Sequence, residues 1–170
     1  MEYPALVLLG VNMLFVAFIL LIIAENLRGV VGAKEVAAFC ILVGSLNTAS
    51  AAFNGFVLQD PVTMGAQLLF GFTYLFFAQN ILRGADTGTG LGVYCLCVLV
   101  TCIPFIVYSF IGGTPILAIF WILWAQLWGL FWVANGLKKN ITKFLTINTY
   151  CVAILNGLGG FAYMFEWINI

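Results

Sequence analysis

Ala24-Glu25-Asn26-Leu27-Arg28, Ala78-Gln79-Asn80-Ile81-Leu82-Arg83 and Ala134-Asn135-Gly136-Leu137-Lys138 read as three versions of one phrase. Each has a small residue, an amide and then a base, and each closes a long apolar run. The phrases begin at 24, 78 and 134 in a chain of 170 residues, so the intervals are 54 and 56. A period near one third of the chain implies three copies of one unit, each a pair of apolar helices entering the membrane in the same sense. The blander reading is that any membrane helix can end this way. The nearly constant spacing favours the repeat.

Working outward from the phrases, the runs between them are long and almost free of charge. The chain is 64% hydrophobic and 7% charged, where a soluble domain carries about 25% charged residues. Crossing about 30 Å of hydrocarbon takes roughly 20 apolar residues. Six such spans lie between the charges. They run from Tyr3 to Ala24, from after Glu35 to Asn54, from after Pro61 to Ile81, from Leu91 to Phe110, from Pro115 to just before Lys138, and from Phe144 to Trp167. The expected fold is an all-α integral membrane protein, one domain over residues 1–170, with three two-helix hairpins around a pore. The first span is long for a signal-peptide core and has no basic leader, so cleavage is not expected.

The basic residues give an orientation. Arg28 and Lys34 fall between spans 1 and 2, Arg83 between 3 and 4, and Lys138, Lys139 and Lys143 between 5 and 6. All six thus fall on one side, which the positive-inside rule makes cytoplasmic. Both termini are then expected outside. No further basic patch exists for nucleic acid.

The ionisable inventory excludes several chemistries. There is no histidine, and the only charge expected within a span is Glu166, near the outer end of the sixth. Proton relays and ion-coupled sites use intramembrane carboxylates, bases or histidines. Cys40, Cys95, Cys97, Cys102 and Cys151 show no zinc spacing and read as small buried apolar residues. No cofactor, metal or catalytic residue is expected, and the chain does not read as an enzyme.

What the spans do hold is rings and neutral amides. Trp121, Trp124, Trp128, Phe131 and Trp132 occupy one face of span 5, and Phe70, Thr73, Tyr74 and Phe77 one face of span 3. Tryptophan usually sits at the membrane interface, yet Trp124 and Trp128 lie near mid-span. An aromatic stripe alone is ordinarily packing. Tyr74, Gln67, Gln126 and Asn156 add polar groups that must find partners or water inside the membrane. A narrow path with aromatic walls and a few neutral hydrogen-bonding groups suits a small, flat, uncharged solute. It offers an ion nothing in place of its hydration shell.

Leu68-Leu69-Phe70-Gly71-Phe72-Thr73-Tyr74-Leu75 resembles the signature of the AmiS/UreI family of bacterial urea and short-chain amide channels. The family's spaced tryptophan pattern is matched by Trp121 and by Trp128-Gly129-Leu130-Phe131-Trp132, with Phe131 in place of a leucine. The run from Tyr94-Cys95-Leu96 to Ile103-Pro104 resembles the family's fourth helix. The resemblance implies a passive urea or short-chain amide channel in the bacterial inner membrane, among lipid, as a homo-hexamer with one pore per protomer. It puts the pore lining at Phe70, Tyr74, Trp121, Trp128, Phe131 and Trp132. Matching the family's aliphatic first helix to Leu6-Val7-Leu8-Leu9 adds Leu8, Val11 and Phe15. Asn156-Gly157 stands where the family has glutamate and glycine, so a carboxylate has become an amide. The loop from Gly55 to Val62 is short and lacks histidine, unlike that of the acid-gated member, and no proton gate is expected. Glu2, Asp60 and Glu166 are the outside-facing carboxylates. A pore-less assembly subunit and an ion-coupled amide transporter are the alternatives.

The orientation is directly testable. A cysteine placed at Asp60 or in the Gly112–Gly113 turn should react with an impermeant thiol reagent added outside intact cells, and one placed at Lys139 only after lysis. The reverse pattern would invert the topology.

Overall fold

The computed structural model describes residues 3–84 and 88–167. These residues form six long helices and no strand: α1 (Tyr3–Leu27), α2 (Ala33–Ala52), α3 (Pro61–Leu82), α4 (Thr89–Ile111), α5 (Pro115–Asn135) and α6 (Thr142–Met164). All six are long and apolar enough to cross a membrane. A helix satisfies its own backbone hydrogen bonds, which hydrocarbon demands. The chain is a multi-pass, all-α membrane protein.

Local chemistry sets the helix ends. Pro61 and Pro115 occupy the first turns of α3 and α5, where a missing N–H costs nothing. Asp60 caps α3, its Oδ1 accepting from the Thr63 N–H at 2.9 Å. Glu35 belongs to the first turn of α2 rather than preceding it, and its Oε2 accepts from the Gly32 N–H at 2.8 Å. Glu25 lies inside the last turn of α1. Arg28 donates to Glu25 at 3.1 Å and to the Tyr150 hydroxyl at 3.2 Å, and that hydroxyl donates to Glu25. The hydrogen bond with Tyr150, then the charge of Glu25, hold Arg28 above its ordinary pKa. Since Tyr150 is on α6, the cluster ties α1 to α6 at the end of the bundle that carries the basic turns.

Two further expected boundaries move. The second span does not stop at Asn54: α2 runs on into one wider π-helical turn, Phe53–Val57, leaving residues 58–60 as the link to α3. At the other extreme α6 ends at Met164, so Glu166 is exposed beyond it, at φ 56°, and the one charge within α6 is Lys143 in its first turn. Glu2 lies outside the described residues.

The six helices form a ring in which α1 packs chiefly on α6, α2 on α3, and α4 on α5. The pairs joined at the basic end, α1–α2, α3–α4 and α5–α6, touch less. The three-fold plan therefore stands, with the tight seams one helix out of step with the chain's own hairpins. Glycine explains where the seams fall. A Cβ on Gly10 would meet the Gly160 carbonyl oxygen at 2.7 Å, one on Gly44 would meet that of Gly71 at 3.0 Å, and one on Gly92 would overlap the backbone of Gly136. Backbone meets backbone at all three seams, as small residues permit in membranes. Gly129 is different. Its nearest neighbours are Leu99 side-chain atoms at 3.6 and 4.0 Å, so it is not a close-approach site.

The repeat reappears as burial. Met13, Gln67 and Trp121, then Val16, Phe70 and Trp124, then Leu20, Tyr74 and Trp128, are all buried and recur at 54-residue intervals on α1, α3 and α5. The inward faces keep strict register even though the closing phrase of α5 drifts by two residues.

A stability contrast follows. Gly71→Ala drives its Cβ to 2.6 Å from Thr48 Oγ1 and 3.2 Å from the Gly44 carbonyl. It should destabilise by about 1–3 kcal/mol, as overpacking does. Gly129→Ala should be neutral or slightly stabilising. Thermal unfolding of the two variants in detergent distinguishes them, and equal melting temperatures would contradict the seam argument.

Candidate functional site

Two cavities lie on the inner side of the ring. The wide one, about 70 Å³, opens toward the end without basic turns. Leu9, Asn12, Met13 and Val16 of α1, Thr63, Gln67 and Phe70 of α3, Trp121 and Trp124 of α5, and Asn47, Phe105 and Asn156 are among its walls. The narrow one, about 10 Å³, lies toward the basic end between Leu20, Ile23, Thr73, Tyr74, Phe77, Leu91, Cys95, Trp128 and Phe131. That is about the space of one water. Neither lining contains Asp, Glu, Lys or Arg.

Between the cavities stands a belt of rings. Phe70 meets Trp124 edge-on at 4.8 Å and Trp128 at 6.3 Å, and Tyr74 lies 6.3 Å from Trp128. Trp121 stacks on Phe105 of α4 at 4.4 Å and 13°. Trp128 and Phe131 lie 5.9 Å apart. Such offset and edge-on contacts hold rings at defined angles. The Tyr74 hydroxyl and the Trp128 indole N–H are buried in this belt with no partner. The Trp124 N–H is committed, giving to Asn156 Oδ1 at 2.8 Å.

Asn156 is held on both sides, because its Nδ2 donates to the Met13 carbonyl at 3.0 Å. One amide thus joins α1, α5 and α6 beside the cavity. A carboxylate there has no hydrogen to give the carbonyl, so the amide suits these neighbours.

A second amide chain was not anticipated. Asn54, brought inward by the π-helical turn and fully buried, donates from Nδ2 to the Ser50 carbonyl at 3.0 Å and to Gln67 Oε1 at 2.8 Å. The Ser50 hydroxyl donates to Asn12 Oδ1 at 3.2 Å. Asn47 lines the wide cavity and gives its own Nδ2 to Val43 at 2.9 Å. A signal existed: Asn47, Ser50 and Asn54 sit at offsets of three and four, one face of a helix.

Of the residues expected from sequence, Phe70, Trp121 and Asn156 reach the wide cavity and Tyr74, Trp128 and Phe131 the narrow one. Trp132 is half-buried outside both, against Gly136. Gln126 is exposed on the outer face of α5. On α1, Leu8 and Val11 are half-buried and Phe15 is exposed beside Phe18. The inward face is one residue on, at Leu9, Asn12, Met13 and Val16. Aliphatic side chains cover most of α1, and its one mid-span amide, Asn12, was the signal that could have marked the inward face.

The family described as AmiS/UreI family transporter matches residues 8–166. The chain belongs to this family. Members of the AmiS/UreI family are channels or transporters, not enzymes. The chain is 29% identical over 144 residues to a proposed transporter protein, AmiS2, of Rhodococcus erythropolis, and 30% identical over 138 residues to a proposed amidate substrates transporter of Mycolicibacterium smegmatis. The matches cover 79% and 77% of this chain and span 68% and 63% of those relatives. Its fold matches the closed-state urea channel of Helicobacter pylori at a TM-score of 0.85 and 23% identity, over 95% of this chain and 100% of the channel. A crystal structure of the same organism's urea channel matches at 0.82 and 24%, over 94% and 99%. At these identities the likeness is one of AmiS/UreI architecture.

Proposed function

We propose that this chain is a passive channel for urea or a similar small neutral amide. The observation that carries the reading is the uncharged aromatic belt, with one cavity on each side and two unpartnered polar atoms, Tyr74 OH and Trp128 Nε1, inside it. Phe70, Tyr74, Trp121, Trp124, Trp128 and Phe131 form the selective constriction, with Leu9, Met13 and Val16 as its aliphatic side. A planar solute slides between ring faces, and each N–H-to-ring contact is weak, about 0.5–1 kcal/mol. Weak contacts let the solute leave as readily as it arrives. Tyr74 and Trp128 offer hydrogen bonds where water has been stripped away. An ion meets no fixed charge to replace its hydration. The same absence argues against ion coupling.

The chain resides in the bacterial inner membrane with both termini outside. The protomers assemble as six in a ring, each with its own pore. Relatives named for amidate transport and for urea conduction support the permeant class.

Stopped-flow swelling of proteoliposomes is the test. Tyr74→Phe keeps the ring and removes one hydrogen-bonding group, and should lower urea permeability about two- to tenfold, the worth of one such bond. Trp128→Ala should open the belt and raise glycerol permeability above that of the wild type. Wild-type flux and selectivity in both variants, at normal expression, would refute the constriction. Absence of any urea or amide flux through wild-type protein would favour a pore-less subunit.

Conduction is proposed to be independent of pH. Histidine is the side chain that titrates near neutrality without help, and the chain has none. Asp60 reaches the wide cavity's wall through its capping of Thr63, and Glu166 is exposed past α6. Urea permeability should be flat across external pH 5 to 8. A steep loss at neutral pH, abolished by Asp60→Asn or Glu166→Gln, would overturn this.

A further inference from the structure

The amide chain along the wide cavity ends in two unused donors. Asn54 Nδ2 must face the Ser50 carbonyl, which can only accept. Gln67 therefore turns Oε1 to Asn54 and is left with a free Nε2. At the other end Asn12 accepts from Ser50 through Oδ1 and is left with a free Nδ2. Asn12 is 3% exposed and Gln67 4%, and both line the wide cavity. Buried amide nitrogens without partners are costly. A ligand that supplies an acceptor here relieves that cost.

We infer that Asn12 and Gln67 form a carbonyl-recognition subsite in the wide cavity, upstream of the aromatic belt, selecting solutes by their acceptor oxygen. This rests on the channel reading and deepens it. Leu9, Met13, Val16 and Phe70 give the wall an apolar part, and Asn47 and Thr63 add further polar groups. One carbonyl held by two N–H groups beside such a wall describes a primary amide with a short alkyl tail, so acetamide and propionamide fit better than urea. The subsite also lowers the barrier to the belt, because the solute exchanges water on its oxygen for fixed donors before its ring contacts begin.

Thiourea is the discriminating probe. It keeps urea's shape and donors but replaces oxygen with sulfur, a weak acceptor. Permeabilities of acetamide, urea and thiourea should be measured by stopped-flow in proteoliposomes of wild type, Asn12→Leu and Gln67→Met. Both substitutions nearly conserve volume. The expected result is wild-type permeability in the order acetamide, urea, thiourea. Each variant should lose about three- to tenfold for the two oxygen compounds, with thiourea within about twofold of wild type on the same scale. Equal loss for all three solutes, or none, would overturn the subsite and leave the channel reading intact. Wild-type protein that passes thiourea as fast as urea would overturn it even if neither variant assembles. Wild-type protein that passes no amide would overturn both.

Discussion

Everything on the axis depends on how closely the helices approach at the rim of the ring. Gly10 against Gly160, Gly44 against Gly71 and Gly92 against Gly136 bring backbones together at three seams. In lipid no hydrophobic force draws helices together, so close van der Waals contact must do much of that work. The α1–α6 seam matters most, because it closes a ring whose members are otherwise sequential neighbours. Small residues at the rim have a second effect. The bulk that the seams exclude is carried inward by α3 and α5 as Phe70, Tyr74, Trp121, Trp124 and Trp128. Tight seams and a ring-filled axis are thus two sides of one packing solution.

The axis is polar without being charged, and the distinction governs what it can pass. A buried carboxylate or ammonium costs several kcal/mol and needs a matched partner. A buried amide costs less and can be satisfied by carbonyls already present. Asn54, Asn47 and Asn156 each use a main-chain carbonyl in this way, at Ser50, Val43 and Met13. Unpartnered groups remain on Asn12, Asn54 and Gln67 around the wide cavity and on Tyr74 and Trp128 in the belt. Such groups can replace a neutral solute's water. They cannot replace the hydration of an ion, whose field asks for several dipoles at once.

Sequence made the skeleton legible because its signals are large. Six apolar runs, punctuated by charge and by Pro61 and Pro115, fix the helices to within a few residues. The aromatic face of α5 is a strong periodic signal, and Phe70, Tyr74, Trp128 and Phe131 reach the cavities as expected. The losses have physical causes. On α1 the register was left to resemblance, which named Leu8, Val11 and Phe15; the residues that line the wide cavity are Leu9, Asn12, Met13 and Val16, and the mid-span amide Asn12 was the unused signal. Trp132 shares the stripe of α5 but sits where the helix end faces Gly136. Gln126 was read as a pore group because a mid-span amide invites that reading, yet it faces outward. Asn54 was taken as a helix terminus, and a π-helical turn that sequence does not announce carried it into the core.

The 54-residue register explains why the site is lopsided. Three equivalent inward faces began with equivalent positions, yet the layers read Met13, Gln67, Trp121, then Val16, Phe70, Trp124, then Leu20, Tyr74, Trp128. The α1 copy is aliphatic at every level, while α3 and α5 supply the rings and the amide. A path built from three identical ring-bearing faces would be round, and would treat every orientation of a solute alike. One aliphatic wall and two aromatic ones make the lining unequal around the axis, and Asn12, on the aliphatic helix, and Gln67, on an aromatic one, stand on different sides of the wide cavity. Under the proposed function, divergence among the repeats would let one bundle read shape and polarity together.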